Sequence, residues 1–126
     1  MFILSARSLA RLHGVQPSLV RVVKKAITLT GVDFSVVEGV RTLAKQREYF
    51  IKGKSKTMNS RHLTGHAVDL APWLNGTIDW ENESGFKEVA RAMKAAAYQC
   101  GITIEWGYDL WQWDEPHFQL PWGKYP

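Results

Sequence analysis

Two histidines, a glycine and an aspartate fall close together in "RHLTGHAVD", with His62 and Asp69 at its chemical extremes. In a fully extended chain the seven steps from His62 to Asp69 would cover roughly 23 Å, too far for both to hold one ion. The chain between them must fold back, and Gly65 gives the backbone freedom to do so. An ionised aspartate inside the apolar "AVDLA" is costly unless it is paired, hydrogen-bonded or metal-bound. Backbone hydrogen bonds to Asp69, with His62 merely solvated, are the plain alternative. The carboxy-terminal "WDEPHFQL" adds His117 at a strand entrance, with Asp114 three residues earlier. His62, Asp69 and His117 make a two-histidine, one-carboxylate set that suits tetrahedral zinc with one position open to water.

The other two histidines need separate readings. His13 lies in the basic amino-terminal helical region and reads as a residue without chemistry. His62 and His66 imitate the i, i+4 pair of a helical zinc peptidase, but that motif needs a glutamate directly after its first histidine and a stable helix. Leu63 follows His62, and Gly65 weakens a helix, so His66 stands only as the alternative ligand.

The elements that must position these residues are legible in outline. "QPSLVRVVKKAITLTG" places Pro17 where a first helical turn tolerates it, spaces Leu19, Val22, Val23, Ala26 and Ile27 on one helical face, and closes at Gly31. Ser5 can cap a shorter helix running to about His13. "VDFSVVEGV" reads as a strand ending at Gly39, after which Thr42 can cap a helix stopped by Gly53. Arg41 then sits at a strand-to-helix junction and Gln46 on the first turns of that helix. "GKSKTMNSR" is a polar loop of about ten residues, and "AVDLA" a short buried strand. Ser84 can cap a helix through Ala97 that ends before Gly101, followed by strands at "ITIEW" and "HFQL". Helices first, then strands mixed with helices, is an α+β order. With 126 residues and 45% hydrophobic content, one domain over residues 1–126 is expected.

Composition narrows the function further. Cys100 is the lone cysteine, which excludes a disulfide framework and a thiolate zinc cluster, so any metal must use histidine and carboxylate. Apolar runs such as Met1–Leu4 are far below the ~20 residues of a membrane span. The amino terminus puts its apolar residues before its arginines, the reverse of a secretory signal. A net charge of +4 favours polyanionic surroundings, but the basic residues are scattered and no nucleic-acid-binding signature is present. Of six tryptophans, four fall within residues 106–122, where they serve either a substrate groove or the core.

"SRHLTGHAVD" resembles the Ser-x-His-x-x-Gly-x-Ala-x-Asp signature of the zinc D-alanyl-D-alanine carboxypeptidase-like peptidases, and "DEPH" resembles their acid-x-x-His motif. The likeness continues in "EGVRTLAKQ", where that group has an arginine and, five residues later, a glutamine, and in "IEWGYDLWQWDEPHFQL"; it spans about Val36 to Leu120. Asp rather than Glu in the second motif, "KTMNSRHLTGHAVDLAP" and the amino-terminal "LSARSLARLHGVQPSLVRVVKKAI" look most like phage endolysins that are L-alanyl-D-glutamate endopeptidases. The chain departs from its look-alikes in having His66 after Gly65, and no separate wall-binding domain is expected.

The resemblance implies amino-terminal helices packed on a mostly antiparallel sheet that carries a zinc site, the D-Ala-D-Ala carboxypeptidase or hedgehog-like fold. It implies Zn2+ on His62, Asp69 and His117, with Asp114 as general base and Glu115 as the neighbouring alternative. Arg41 would stabilise the oxyanion or hold a substrate carboxylate, its plain alternative being a pair with Glu38. Gln46 would contact substrate, and Ser60 would hydrogen-bond near the zinc or pin its loop. The implied activity is hydrolysis of the L-Ala to D-Glu bond of peptidoglycan stem peptides for host cell lysis. A D-Ala-D-Ala carboxypeptidase or dipeptidase, and a non-catalytic zinc-stabilised wall-binding module, are the rival readings. The expected protein is a monomer without nucleic-acid partner or stable membrane insertion. It would accumulate in the host cytoplasm without a signal peptide and act in the periplasm after holin-type release.

Overall fold

The computed structural model describes all residues, Met1–Pro126. Two short amino-terminal helices come first, α1 (Ala6–Arg11) and α2 (Pro17–Leu29). Ser5 caps α1 by accepting from the Ser8 amide, and Pro17 opens α2 as its spacing predicts. Strand β1 (Phe34–Glu38) leads through Thr42, whose hydroxyl accepts from the Lys45 amide, into α3 (Leu43–Ile51). After the polar loop come a 3-10 turn at Arg61–Thr64, strand β2 (Ala67–Leu74) and a two-residue strand β3 (Thr77–Ile78). The long helix α4 (Glu83–Cys100), strand β4 (Glu105–Trp106), the short α5 (Gly107–Trp111) and strand β5 (His117–Gln119) complete the chain.

The sheet runs β1-β2-β5-β4, every pairing antiparallel, with β3 added as a hairpin on the far end of β2. Alternation along the strands gives it two unlike faces. Val36, Val68, Leu70 and Phe118 join a core with Leu19, Val22, Val23, Val89 and Met93, contributed by α2 and α4. The neighbouring strand positions, Glu38, Asp69, His117 and Gln119, lie on the opposite face. Burial of the first set, with Val36, Val68, Leu70 and Phe118 all at 0% exposure, locks the strand register; slipping one residue would exchange the two faces.

Several sequence expectations need correction. Asn82, not Ser84, caps α4: its side chain accepts from the Gly85 amide, and Ser84 donates its hydroxyl to Asn82. Both residue types make good caps, and local sequence alone does not choose between them two positions apart. The "ITIEW" strand shrinks to Glu105–Trp106, since Trp106 already turns the chain into α5. A hairpin forms at Asn75–Gly76, both at positive φ (53° and 80°), in keeping with the strong turn signal of an Asn-Gly pair.

Gly65 ends the 3-10 turn at φ 76° and nests against the first helical layer, where a Cβ would lie 2.5 Å from the Gly14 carbonyl oxygen. Its own carbonyl accepts from the Gln16 amide at 2.8 Å. Gly65→Ala is therefore expected to lower unfolding free energy by roughly 1–3 kcal/mol, through left-handed strain plus the clash. Gly53→Ala, at φ 73° with open space around it, should cost only the strain. Denaturant titration of the two variants would show this order, and equal losses would remove the close packing at Gly65 as a cause.

Candidate metal centre and active-site cleft

Strand register assembles the site. Across the sheet Glu38 stands opposite Asp69, and Asp69 opposite His117. Directly opposed residues of antiparallel strands share a face, so this lateral row points its three side chains to the same side. A register shift between Val36 and Glu38 re-aims β1 at that point, a usual device beside functional sites. His62 arrives from the 3-10 turn, held there by the Ser60 hydroxyl, which accepts from the His62 amide at 3.2 Å. The nitrogen and oxygen atoms of His62, Asp69 and His117 able to hold a metal lie within 4.8 Å of one another. They sit in a cleft of about 730 Å³ that Asp114, Arg41 and Ser60 also line.

The outer hydrogen bonds determine which ring nitrogens face inward. His62 Nδ1 lies 2.8 Å from the Gly39 carbonyl oxygen, which can only accept, so Nδ1 carries the proton and Nε2 presents its lone pair. His117 Nε2 lies 2.8 Å from Gln119 Oε1, and the Gln119 amide nitrogen donates onward to Glu105 at 3.1 Å, which fixes the direction of that amide. His117 thus presents Nδ1. Both inward nitrogens approach Asp69 Oδ1, at 3.1 Å and 3.3 Å. With neutral imidazoles, three acceptors converge, an arrangement that a cation among them would satisfy. The donor set, its spacing and its outer partners all fit a divalent metal.

The electrostatics agree. Burial alone would raise the Asp69 carboxyl, but the adjoining His62 and His117 outweigh it and hold the group well below the usual carboxylate range. For His117, burial works downward, yet Asp69, Gln119 and Asp114 together push it above its ordinary value. The cluster pulls positive charge into itself. Asp114 is raised from its ordinary value, first by burial and then by Asp69, with His117, His62 and Arg41 acting in the other direction. Its backbone is close to Gly107, where a Cβ would come within 2.4 Å of the Asp114 carbonyl oxygen.

Arg41 is 9% exposed and lines the cleft. It pairs with Glu38 through Nε at 3.0 Å and through Nη2, donates from Nη1 to Gln46 Oε1 at 2.7 Å, and keeps Nη2 3.9 Å from Asp69 Oδ2. The Glu38 pair of the plain reading is thus present, beside the metal group. Gln46 is fully buried and does not line the cleft. Its amide nitrogen donates to the Ser55 hydroxyl at 2.8 Å and the Thr57 carbonyl at 2.6 Å, so no donor is left for a substrate. His66 turns away, its Nδ1 2.7 Å from the Thr64 hydroxyl, and Glu115 lies outside the cleft lining. Trp80, Trp111, Trp113 and Trp122 line the cleft half-exposed, whereas Trp106 is buried and donates to the Glu115 carbonyl.

Sequence reasoning missed Gly39, Gln119 and Arg61. Arg61, 3% exposed, donates to the Leu120 and Tyr125 carbonyls and stacks 4.0 Å from the Trp122 ring centre, tying the metal-side turn to the carboxy-terminal segment. The alternating "HFQ" could have suggested Gln119 as a same-face neighbour of His117; nothing local marks a backbone carbonyl such as that of Gly39.

A two-histidine, one-aspartate group in a cleft that a further aspartate also lines is the layout of a metal-dependent hydrolase. The family model described as phage L-alanyl-D-glutamate peptidase matches residues 1–119, and the chain belongs to that family. It is 34% identical over 118 residues to the L-alanyl-D-glutamate peptidase of Escherichia phage T5, covering 91% of this chain and 86% of that protein. The crystal structure of the Serratia marcescens L-Ala D-Glu endopeptidase ChiX superposes with a TM-score of 0.91 at 45% identity, covering 98% of this chain and 94% of that one. The vancomycin-resistance D,D-dipeptidase VanXYg shares the fold at a TM-score of 0.51 and 16% identity, over 84% of this chain and 50% of that chain.

Gln119→Ala removes the partner that fixes the His117 ring. Divalent zinc affinity should fall about 10- to 100-fold while the fold persists. Competition against a chromophoric chelator measures it, and an unchanged affinity would show that Gln119 does not orient the ligand.

Proposed function

We propose that the protein is a zinc endopeptidase that hydrolyses the L-Ala to D-Glu bond of peptidoglycan stem peptides, with His62, Asp69 and His117 as the metal ligands. The observation that carries this reading is the convergence of three inward acceptors on one point, with Asp114 in the same cleft. Family membership and the names of the T5 and Serratia proteins supply the substrate. The chemistry that zinc supplies when bound is Lewis acidity towards the scissile carbonyl and a lowered pKa for water.

The remaining work falls to the protein. Asp114 accepts the proton of the attacking water and delivers it to the leaving amine of D-Glu, and its raised proton affinity suits both halves of that transfer. Arg41 holds permanent positive charge at the cleft wall, close to Asp69, and is assigned to the developing oxyanion. Ser60 pins the turn that carries His62, and Gln46 holds Arg41 and the 55–57 segment in place rather than touching substrate. The half-exposed tryptophans of the rim supply apolar walls for the stem peptide. Synthesis in the host cytoplasm and holin-type release to the wall belong to the same reading; no helix is long and apolar enough to cross a membrane.

Mass spectrometry of digested peptidoglycan tests the bond: new L-Ala carboxyl ends are expected, and release of D-Ala instead would replace this activity by a D,D-peptidase one. Asp114→Asn should keep fold and zinc content while activity falls by about 10²–10⁴-fold, since an amide cannot take the proton. Glu115→Gln should do much less. Exchange of the two phenotypes would move the base to Glu115. Zinc analysis of His62→Ala, Asp69→Ala and His117→Ala should show loss of metal in each, with His66→Ala retaining it.

A further inference from the structure

Glutamate has two carboxyl groups, and a peptide chain continues through only one. A D-glutamyl residue on the amine side of the scissile bond therefore carries a free carboxylate near the reacting centre. The cleft that receives it is already lined by the carboxylates of Glu38, Asp69 and Asp114. With Glu38 paired to Arg41 and the zinc of the proposed reading set against Asp69, a further carboxylate is held best by a cation that has no partner yet.

The two guanidinium groups of the cleft have other assignments. Arg41 gives Nε and Nη2 to Glu38 and Nη1 to Gln46, and its remaining N–H donors are assigned to the oxyanion. Arg61 is buried on the Leu120 and Tyr125 carbonyls. Two cations remain along the lining, Lys54 and Lys56, both exposed. The carboxylates that pair with lysines do so with Lys45, Lys52, Lys87 and Lys94, never with these two. Lys56 Nζ sits 5.5 Å from the centre of the Trp113 ring, a contact that keeps the ammonium at the cleft mouth.

The segment that presents them is anchored from beneath. Fully buried Gln46 bonds the Ser55 hydroxyl at 2.8 Å and the Thr57 carbonyl at 2.6 Å, so anchored residues alternate with the two lysines. A backbone held in this way lowers the entropy lost when a lysine engages a ligand.

We propose that Lys54 and Lys56 form an anion subsite for the free carboxylate of the D-glutamyl residue, so that this loop sets a preference for the acid over its amide. The inference rests on the endopeptidase reading above. Two L-Ala-D-Glu peptides, with that carboxylate either free or converted to a carboxamide, test it with purified zinc-loaded enzyme. The wild type should favour the free acid by about five- to tenfold in kcat/KM, chiefly through KM. In a Lys54→Gln, Lys56→Gln double variant the ratio should fall to near one, and Lys54→Arg with Lys56→Arg should restore it. A wild type indifferent to amidation, or a glutamine double variant that keeps the preference, overturns the subsite while leaving the endopeptidase assignment intact. Cleavage of neither peptide by the wild type overturns the endopeptidase reading and the subsite with it.

Discussion

The structure depends on one electrostatic problem, a carboxylate in the middle strand of a sheet facing two imidazole lone pairs. Asp69 Oδ1 is 3.1 Å from His62 Nε2 and 3.3 Å from His117 Nδ1, and the outer bonds to Gly39 and Gln119 prevent either ring from turning away. Three acceptors so placed repel one another unless positive charge lies among them. The outer hydrogen bonds hold the three groups turned towards one point, and groups already oriented lose little entropy on binding a ligand.

Holding these groups in place takes the whole sheet. The apolar face, packed on α2 and α4, gives the register of β1, β2 and β5 its energetic penalty for slipping, and that register sets Glu38, Asp69 and His117 side by side. Hydrophobic burial thereby positions polar groups on the other face that it never touches. The Gly39 carbonyl that orients His62 directly follows β1, so the segment that supplies a core residue, Val36, also supplies the hydrogen bond to His62.

Charge around the cleft is similarly partitioned. Glu38 takes up much of the Arg41 guanidinium, and Gln46 takes another of its donors, which steers that cation towards Asp69 and away from solvent. The aromatic residues divide between two tasks. Trp106 stacks on Phe118 in the core and anchors the Glu115 carbonyl, while Trp111 and Trp113 remain at the rim, 44% and 52% exposed. A tryptophan count alone does not separate these roles, because the same side chain serves burial or contact depending on which way its backbone faces.

The sequence by itself determined the local elements and the chemical types at the site. Pro17, Ser5, Thr42 and Gly101 mark helix ends because caps and breakers act within one turn of the chain. The periodic apolar residues of α2 matched its buried face, Leu19 through Ile27. Histidine and carboxylate in a chain with one cysteine pointed to a non-thiolate metal set, and those residues do converge. Tertiary structure alone decided that His66 faces Thr64 and not Asp69, that Gln46 is buried against Ser55 and Thr57, and which nitrogen each imidazole presents. Those outcomes follow from side-chain direction and hydrogen-bond partners that the folded chain selects, some close in sequence, as Thr64 to His66, and some distant, as Gly39 to His62, whereas propensity and periodicity give only the element each residue lies in.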